Sequence, residues 1–379
     1  MTVSRISILF LSAAALIGQV PDAPSRTSGI IDPQPGPTGG AQSDDNDPAL
    51  PGLVCRMAMF AQQIEDLPGA EKLARHGLSL FTRNNSLESA DGAACLTTFA
   101  GLFESKGLMP EAQRELENAL AVREKVFGPN HFLVADTLIR LGVTHSRQGR
   151  LAEAEQIQTR AIGILRMHAP SPELAAALNN LGSVMSAQGR SKEAERQIRE
   201  AISIWERLGW NDKPSVAGGL LNLGILLQAR KQYDEAARVL ARARQIDEKA
   251  LPPNHPRIGM DLNAAGVLAT AQKNYREAEQ LLLRSVKILE GAQSPQHAET
   301  GQVLLNLAEV YRLEKKLDQA RDTFQRGLAA VTLAWGPNDP RLAQWMETLA
   351  RVLRAKEDFA GAEELEIRAT RIRVLHTIR

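Results

Sequence analysis

A small residue recurs with a nearly constant period along most of this chain. Eight positions carry it, at intervals of 42 residues apart from one interval of 40: Ala58, Ala100, Gly142, Gly182, Gly224, Gly266, Ala308 and Ala350. We call these the marker positions. An alanine follows each of them twelve residues later, from Ala70 in the first repeat to Ala362 in the last. A fixed period of this length predicts a solenoid, in which each repeat is one supersecondary unit stacked on its neighbours.

The fourth repeat shows what one unit contains. Leu178 and Met185 lie on one apolar stripe at helical spacing, which predicts a first helix, helix A. Gly182 lies in that stripe and has no side chain to hold a neighbouring helix away. Gly189 is expected to end helix A, because helices often end at a glycine. A second helix, helix B, is predicted to begin near Ser191. Neither helix can bury its apolar face alone, so the repeats must stack.

The connector between repeats is also repeated. It reads Gly-Pro-Asn-His at 128–131, Pro-Pro-Asn-His-Pro at 252–256 and Gly-Pro-Asn-Asp-Pro at 336–340. Glycine or proline is expected to end helix B, and the asparagine to cap the next helix A. A shorter connector at 168–172 accounts for the single interval of 40 residues.

These residues resemble the tetratricopeptide repeat, whose pattern is Leu-Gly in helix A, alanine twelve residues on and a second small residue seven later. In the first repeat that last position is Gly77. The 42-residue length and the Gly-Pro-Asn-His-Pro connector are similar to the kinesin light chain subtype, which also occurs in bacterial proteins. The resemblance implies an all-α fold, a right-handed α-solenoid of about eight helix-turn-helix repeats over residues 51–379.

The resemblance also implies a binding face. Helix A lines the concave groove of such solenoids, and the residue two before the marker position contacts the peptide. The groove candidates, with their near neighbours, are Arg140, Asn179, Asn180, Ser183, Asn222, Asn263, Asn306, Glu309 and Arg312. Their amides could pair with an extended peptide backbone. The alternative is that these are tolerated polar residues on a wet helix face. The Lys/Asn/Arg clamp that cochaperones use for a terminal carboxylate is absent, so binding by that mode is not expected.

The N-terminus predicts export. Arg5 precedes the apolar run 6–17, which is too short to span a membrane and is typical of a signal peptide. We therefore expect a signal peptide at 1–18, a disordered Pro/Gly/Asp-rich linker at 19–50, and an exported, periplasmic or secreted protein without a stable membrane anchor after cleavage. An uncleaved chain in the cytoplasm is the alternative.

Two cysteines lie on helix A of adjacent repeats. Cys55 precedes its marker position by three residues and Cys95 precedes its own by five. That offset turns one about 200° from the other on the helix, so they could meet across facing helices. A disulfide closing this loop would stabilise the fold by about 4 kcal/mol in the chain-entropy model. Two buried free thiols are the alternative.

Charge and motifs narrow the function class. A net charge of +1 argues against a nucleic-acid partner. Hydrolase, zinc-protease, phosphate-loop and redox motifs are not found, so we expect no enzyme activity, no cofactor and no metal. His131 and His255 occupy equivalent connector positions, which the repeat explains better than a metal site does.

These expectations converge on a non-enzymatic scaffold or adaptor that binds a protein or peptide partner in the concave groove. Two other classes stay open. One is an intracellular regulatory module acting with a separate effector enzyme. The other is a structural element that self-associates through its C-terminal helix, where Ile372, Leu375 and Ile378 either stay exposed or fold back onto the last repeat.

Overall fold

The computed structural model describes residues 47–64, 66–292 and 298–377, which form sixteen α-helices and no strand. The predicted signal peptide and nearly all of the predicted linker lie outside these residues. The helices are α1 (Leu50–Gln63), α2 (Leu67–Arg83), α3 (Ala90–Ser105), α4 (Met109–Phe127), α5 (Phe132–Arg147), α6 (Leu151–Leu165), α7 (Pro172–Ala187), α8 (Ser191–Arg207), α9 (Pro214–Ala229), α10 (Tyr233–Ala250), α11 (Pro256–Ala271), α12 (Tyr275–Ala292), α13 (Ala298–Leu313), α14 (Leu317–Trp335), α15 (Pro340–Ala355) and α16 (Phe359–Thr377).

The helices alternate as the sequence predicts. Each odd-numbered helix carries a marker position and is helix A, and each even-numbered helix is helix B. The described residues divide into two compact units at 184/185, within α7. In the N-terminal unit α3 packs against α2 and α4, and in the C-terminal unit α11 packs against α10 and α12. In both units, helix A thus lies between its own helix B and the preceding one, and this pairing confirms the all-α repeat fold.

The marker glycines lie where helix B of the same repeat approaches most closely. A Cβ on Gly224 would lie 2.5 Å from Cγ and Cδ2 of Leu240, and a Cβ on Gly266 would lie 2.8 Å from Cγ of Leu282. Both leucines lie sixteen residues after their glycine and are buried. In these two repeats the helices therefore pack at a distance that no side chain in place of the glycine would permit.

Replacing Gly224 by alanine is expected to lower the free energy of unfolding by about 1–3 kcal/mol, because the new methyl group overpacks a filled interior. Gly163 of α6 is the matched control, since a Cβ there meets nothing within 4 Å. Its replacement by alanine should instead stabilise the helix by about 0.5–1 kcal/mol. Thermal unfolding followed by circular dichroism measures both. Shifts of the same sign would contradict this explanation of the marker position.

The turn between helix A and helix B uses a left-handed residue seven positions after the marker. Gly189 has φ 80°, which confirms its predicted role. In repeats five to seven the same position holds Lys231, Lys273 and Lys315, with φ between 61° and 65°. The hairpin closes around this residue through backbone bonds such as Lys231 N to Gln228 O at 2.8 Å. Those bonds impose a conformation that lysine alone disfavours.

The connector asparagines do not cap helix A, which corrects the sequence-based expectation. The residue after each asparagine does so instead. Nδ1 of His131 accepts the backbone N–H of Leu133 at 3.2 Å, and Nδ1 of His255 accepts that of Arg257 at 3.2 Å. In the last connector Oδ1 of Asp339 has this role. The helix begins one residue later than expected, so the capping side chain also moves by one.

Ion pairs link helix B of one repeat to helix B of the next. Arg160 pairs with Glu124 at 2.5 Å, Arg242 with Glu206 at 2.8 Å and Arg326 with Glu290 at 2.9 Å. Each partner lies 36 residues earlier in the chain. Exposed ion pairs of this kind contribute little to stability individually. Because each pair joins a positive and a negative side chain, the surface carries many charges while the net charge stays near zero.

Candidate functional site

Most of the predicted groove residues are buried. Five of them expose at most 4% of their surface: Asn179, Asn180, Ser183, Asn222 and Asn263. A peptide could contact them only if the helices around them moved, so their assignment to the groove stays a prediction. Their burial also disagrees with the alternative of a wet helix face and indicates a role in packing.

Helix α9 shows why this face is closed. Every residue from 215 to 228 is buried, so the helix has no exposed side over that length. Small residues permit this packing. A Cβ on Gly219 would lie only 3.0 Å from the side chains of Ile202 and Trp205 on α8. Sequence reasoning identified Gly224 as the marker of this helix, but it did not identify Gly219 or the closeness of neighbours on both sides of the helix.

Two candidate asparagines bind each other rather than facing outward together. Nδ2 of Asn306 donates to Oδ1 of Asn263 at 2.9 Å, which joins α13 to α11. Asn306 itself remains partly exposed. The Asn306 amide group, which was expected to pair with a peptide backbone, here donates to a neighbouring helix.

Arg140 also has a structural partner. Its guanidinium donates to the Thr97 carbonyl at 2.9 Å and to Oε2 of Glu104 at 2.8 Å, so it joins α5 to α3. The Arg140 side chain is 10% exposed and that of Glu104 18%. Removing one partner from so enclosed a pair leaves the other charge uncompensated. We therefore assign Arg140 to the packing of the N-terminal unit.

The accessible part of the predicted site lies on α13. Nε and Nη2 of Arg312 each donate to the Glu309 carboxylate at 2.7 Å. The two side chains are 30% and 25% exposed. The hydrogen bonds that Arg312 donates to Glu309 raise the pKa of Arg312 above its usual value, so the guanidinium stays charged. With Asn306 one turn earlier, this helix presents an amide, a carboxylate and a guanidinium. We call these three residues the α13 patch.

The two cysteines are joined in the structure. Cys55 on α1 and Cys95 on α3 form a disulfide with their Cα atoms 5.3 Å apart. Both residues are buried, in contact with Phe81 of α2. A Cβ on Gly77 would collide with Sγ of Cys55 and lie 3.4 Å from Sγ of Cys95. The small residue at this position of the first repeat therefore makes room for the sulfur atoms.

One buried acidic pair was missed by sequence reasoning. Asp247 on α10 and Asp261 on α11 are 1% and 2% exposed. Nη2 of Arg257 lies 3.2 Å from Oδ2 of Asp247. Desolvation and the neighbouring Asp247 carboxylate raise the pKa of Asp261 to about 8. A signal was present in the sequence: Asp261 lies five residues before a marker position, where repeats four, five and seven carry Ala177, Gly219 and Val303.

The described part of the chain contains neither a cluster of metal ligands nor a membrane-spanning helix. Within the ranges 47–64, 66–292 and 298–377, no group of three or more His, Cys, Asp or Glu side chains is arranged to hold a metal ion. Over the same part of the chain, no helix has the length and apolar character needed to cross a membrane.

Comparisons with known proteins agree with the repeat pattern. A tetratricopeptide repeat model matches residues 94–167, 215–291 and 299–373, which together make up more than half of the chain. A second tetratricopeptide repeat model matches residues 174–208. No curated protein sequence matches the chain.

Solved structures show the same kind of fold. A Rap protein complexed with Competence and Sporulation Factor has a TM-score of 0.59 at 13% identity, covering 86% of this chain and 98% of its own. The apo form of RapI has a TM-score of 0.56 at 13% identity, covering 76% and 100%. Kinesin light chain-type repeats from Podosopora anserina are 20% identical over 53% of this chain and 97% of theirs, with a TM-score of 0.44.

Proposed function

Because the chain belongs to the tetratricopeptide repeat family, we propose that it is a non-enzymatic scaffold that holds an extended segment of a protein partner. Stacked helical repeats present long continuous surfaces, and such surfaces are what repeat proteins use for binding. A Rap protein of this fold has been crystallised with a bound factor. That supports the capacity of the fold to hold a ligand, while the partner of this chain is left to experiment.

The α13 patch is the contact surface that we propose. Asn306, Glu309 and Arg312 are the three groove candidates that remain accessible, and the other six are buried. A charged Arg312 and the Glu309 carboxylate can exchange their mutual hydrogen bonds for bonds to a partner. Charge-assisted hydrogen bonds of this kind are stronger than neutral ones. One observation supports this assignment. The three polar residues of the α13 patch are accessible, whereas the other predicted groove residues are buried.

We further propose that the protein is exported. The apolar run 6–17 with its preceding Arg5 supports this, although it lies outside the described residues. The Cys55–Cys95 disulfide supports it independently, since structural disulfides persist mainly in oxidising compartments. A partner in the cell envelope or outside the cell follows from this proposal, in place of an intracellular effector enzyme.

Affinity capture tests the scaffold and its surface together. The triple variant Asn306→Ala, Glu309→Ala, Arg312→Ala should lose a partner that the wild-type protein retains, because the patch supplies the specific hydrogen bonds. The control variant Arg326→Ala, Glu290→Ala removes an exposed ion pair on the helix B surface and should retain it. Circular dichroism should show equal helicity in all three proteins. A partner held equally by the triple variant would place the binding surface elsewhere.

A further inference from the structure

The first helix leaves an apolar stripe open to solvent. Leu53, Met57, Phe60 and Ile64 are 49%, 49%, 62% and 60% exposed. Their spacing of four, three and four residues places the first three along one side of α1, and Ile64, which directly follows the helix, continues the stripe. We call these four residues the α1 seam. Contiguous exposed apolar surface of this kind marks an interaction site.

The next repeat shows what normally covers such a stripe. Cys95, Phe99 and Leu102 of α3 occupy the positions of Leu53, Met57 and Phe60, and all three are buried. They pack against α2, the helix B of the preceding repeat, through residues that include Ala70, Ala74 and Phe81. Among the described residues, α1 has no preceding helix B. The seam therefore has the shape and chemistry of a helix-binding face without its helix.

We propose that the α1 seam binds the α1 seam of a second molecule of this chain, as an antiparallel helix pair around a twofold axis. Spacing of four, three and four is unchanged when the helix direction is reversed. Leu53 then faces Ile64 of the partner molecule, and Met57 faces its Phe60. The same alternation of four and three forms the seam of coiled coils. A self-complementary patch of this kind gives the isologous dimer that is commonest among oligomers.

Charge does not oppose the pairing. Arg56 is the only charged residue in α1, and its guanidinium lies 4.0 Å from the carboxylate of Asp91. Two seams can therefore meet without placing unpaired charges against each other. The Cys55–Cys95 disulfide joins α1 to α3 from its buried side, so the seam is presented on an anchored helix.

The opposite end of the chain does not offer a matching surface. Ile202 and Trp205 of α8 are the helix B residues that pack onto the next helix A. Thr370 and Arg373 of α16 occupy their positions and are exposed. Head-to-tail stacking through these two positions would thus place a polar surface on the seam, although α16 also exposes the apolar side chains of Ile367 and Val374, at 54% and 50%. Ile372 is buried and Leu375 is 46% exposed, while Ile378 lies outside the described residues, so the predicted association through the C-terminal helix receives less support than pairing through α1.

Two complementary substitutions test the pairing in the purified, unreduced full chain. Met57→Lys and Phe60→Glu should each give a monomer in sedimentation or light-scattering measurements, because each places two charges in an apolar seam. An equimolar mixture of the two variants should recover a mass twice that of one chain. In that mixed dimer one lysine faces one glutamate and one methionine faces one phenylalanine. Each molecule contributes only four side chains to the contact. We therefore expect the dimer to dissociate when the protein is diluted through roughly the micromolar range.

Leu333→Lys is the control, since Leu333 on α14 is 71% exposed and lies outside the seam. That variant should keep the dimeric mass of the wild-type chain. A monomeric wild-type chain at 100 micromolar (roughly the top of that range) would overturn the proposal. So would a dimer that persists in both single variants, or a mixture that stays monomeric. A wild-type monomer that dimerises only when residues 1–46 are removed would show instead that this segment covers the seam, which also contradicts the proposal.

Discussion

Replacing Asp261 by asparagine is expected to stabilise the protein, and by more at pH 8 than at pH 5. The folded wild-type chain keeps a proton on Asp261 up to a pKa of about 8, whereas the usual pKa of an aspartate side chain is 3.8. Between these values the folded state binds a proton that the unfolded state has lost, so stability falls as pH rises. One such group contributes about 1.4 kcal/mol per pH unit, or about 4 kcal/mol from pH 5 to pH 8.

Asparagine removes this dependence because its amide is neutral at every pH and can donate to the Asp247 carboxylate. Denaturant unfolding at pH 5, 6, 7 and 8 measures the slope for both proteins. Asp212→Asn is the control, since Asp212 is 72% exposed on its side chain and should leave the slope unchanged. A slope that is equal in the wild-type and Asp261→Asn proteins would show that Asp261 is not held protonated in the fold.

Removing the disulfide is expected to lower the free energy of unfolding by about 4 kcal/mol, from the chain entropy of a loop with a sequence separation of 40 residues. The double variant Cys55→Ala, Cys95→Ala tests this in unfolding experiments without reductant. Reductant should destabilise the wild-type protein and leave the double variant unaffected. Two free thiols in denatured, unreduced protein from the native host would contradict both the disulfide and the proposal of export.

The same cluster predicts a coupling with Gly77. Alanine at this position collides with Sγ of Cys55 in the disulfide-bonded protein. Gly77→Ala should therefore cost about 1–3 kcal/mol in the wild-type background and less in the double cysteine variant, where both sulfur atoms are absent. A double-mutant cycle measures the difference. Equal costs in the two backgrounds would show that the sulfur atoms do not limit the space at Gly77.

The repeat architecture could be predicted because the same sequence signals occur in every repeat. The marker residues, the alanines that follow them and the connectors all agree on helix type and boundaries, and the structure confirms the hairpins. The exposure of the groove candidates depends on contacts between repeats. Asn180 and Asn222 are of a type common on wet helix faces, and no residue in their own repeat reveals that neighbouring helices enclose them.

The prediction of the N-cap residues was wrong for a different reason, and some local features were not predicted at all. His131 and His255 cap the helices that follow them, in place of the connector asparagines. The reason is that each of these helices begins one residue later than the sequence suggests. Lys273 adopts a left-handed conformation that its residue type disfavours, since the surrounding hairpin imposes it. Asp261 could have been found by aligning the repeats, where a carboxylate appears at a position that is otherwise mostly apolar or small. Its partner Asp247 could be recognised only in three dimensions.

Affinity capture from envelope and extracellular fractions of the native host tests the central claim most directly. We predict that one protein is enriched by the wild-type chain and by the Arg326→Ala, Glu290→Ala control, and is lost with the Asn306→Ala, Glu309→Ala, Arg312→Ala variant. Capture of no protein from any fraction, by a wild-type chain that is folded and disulfide-bonded, would contradict the assignment of this chain as a protein-binding scaffold.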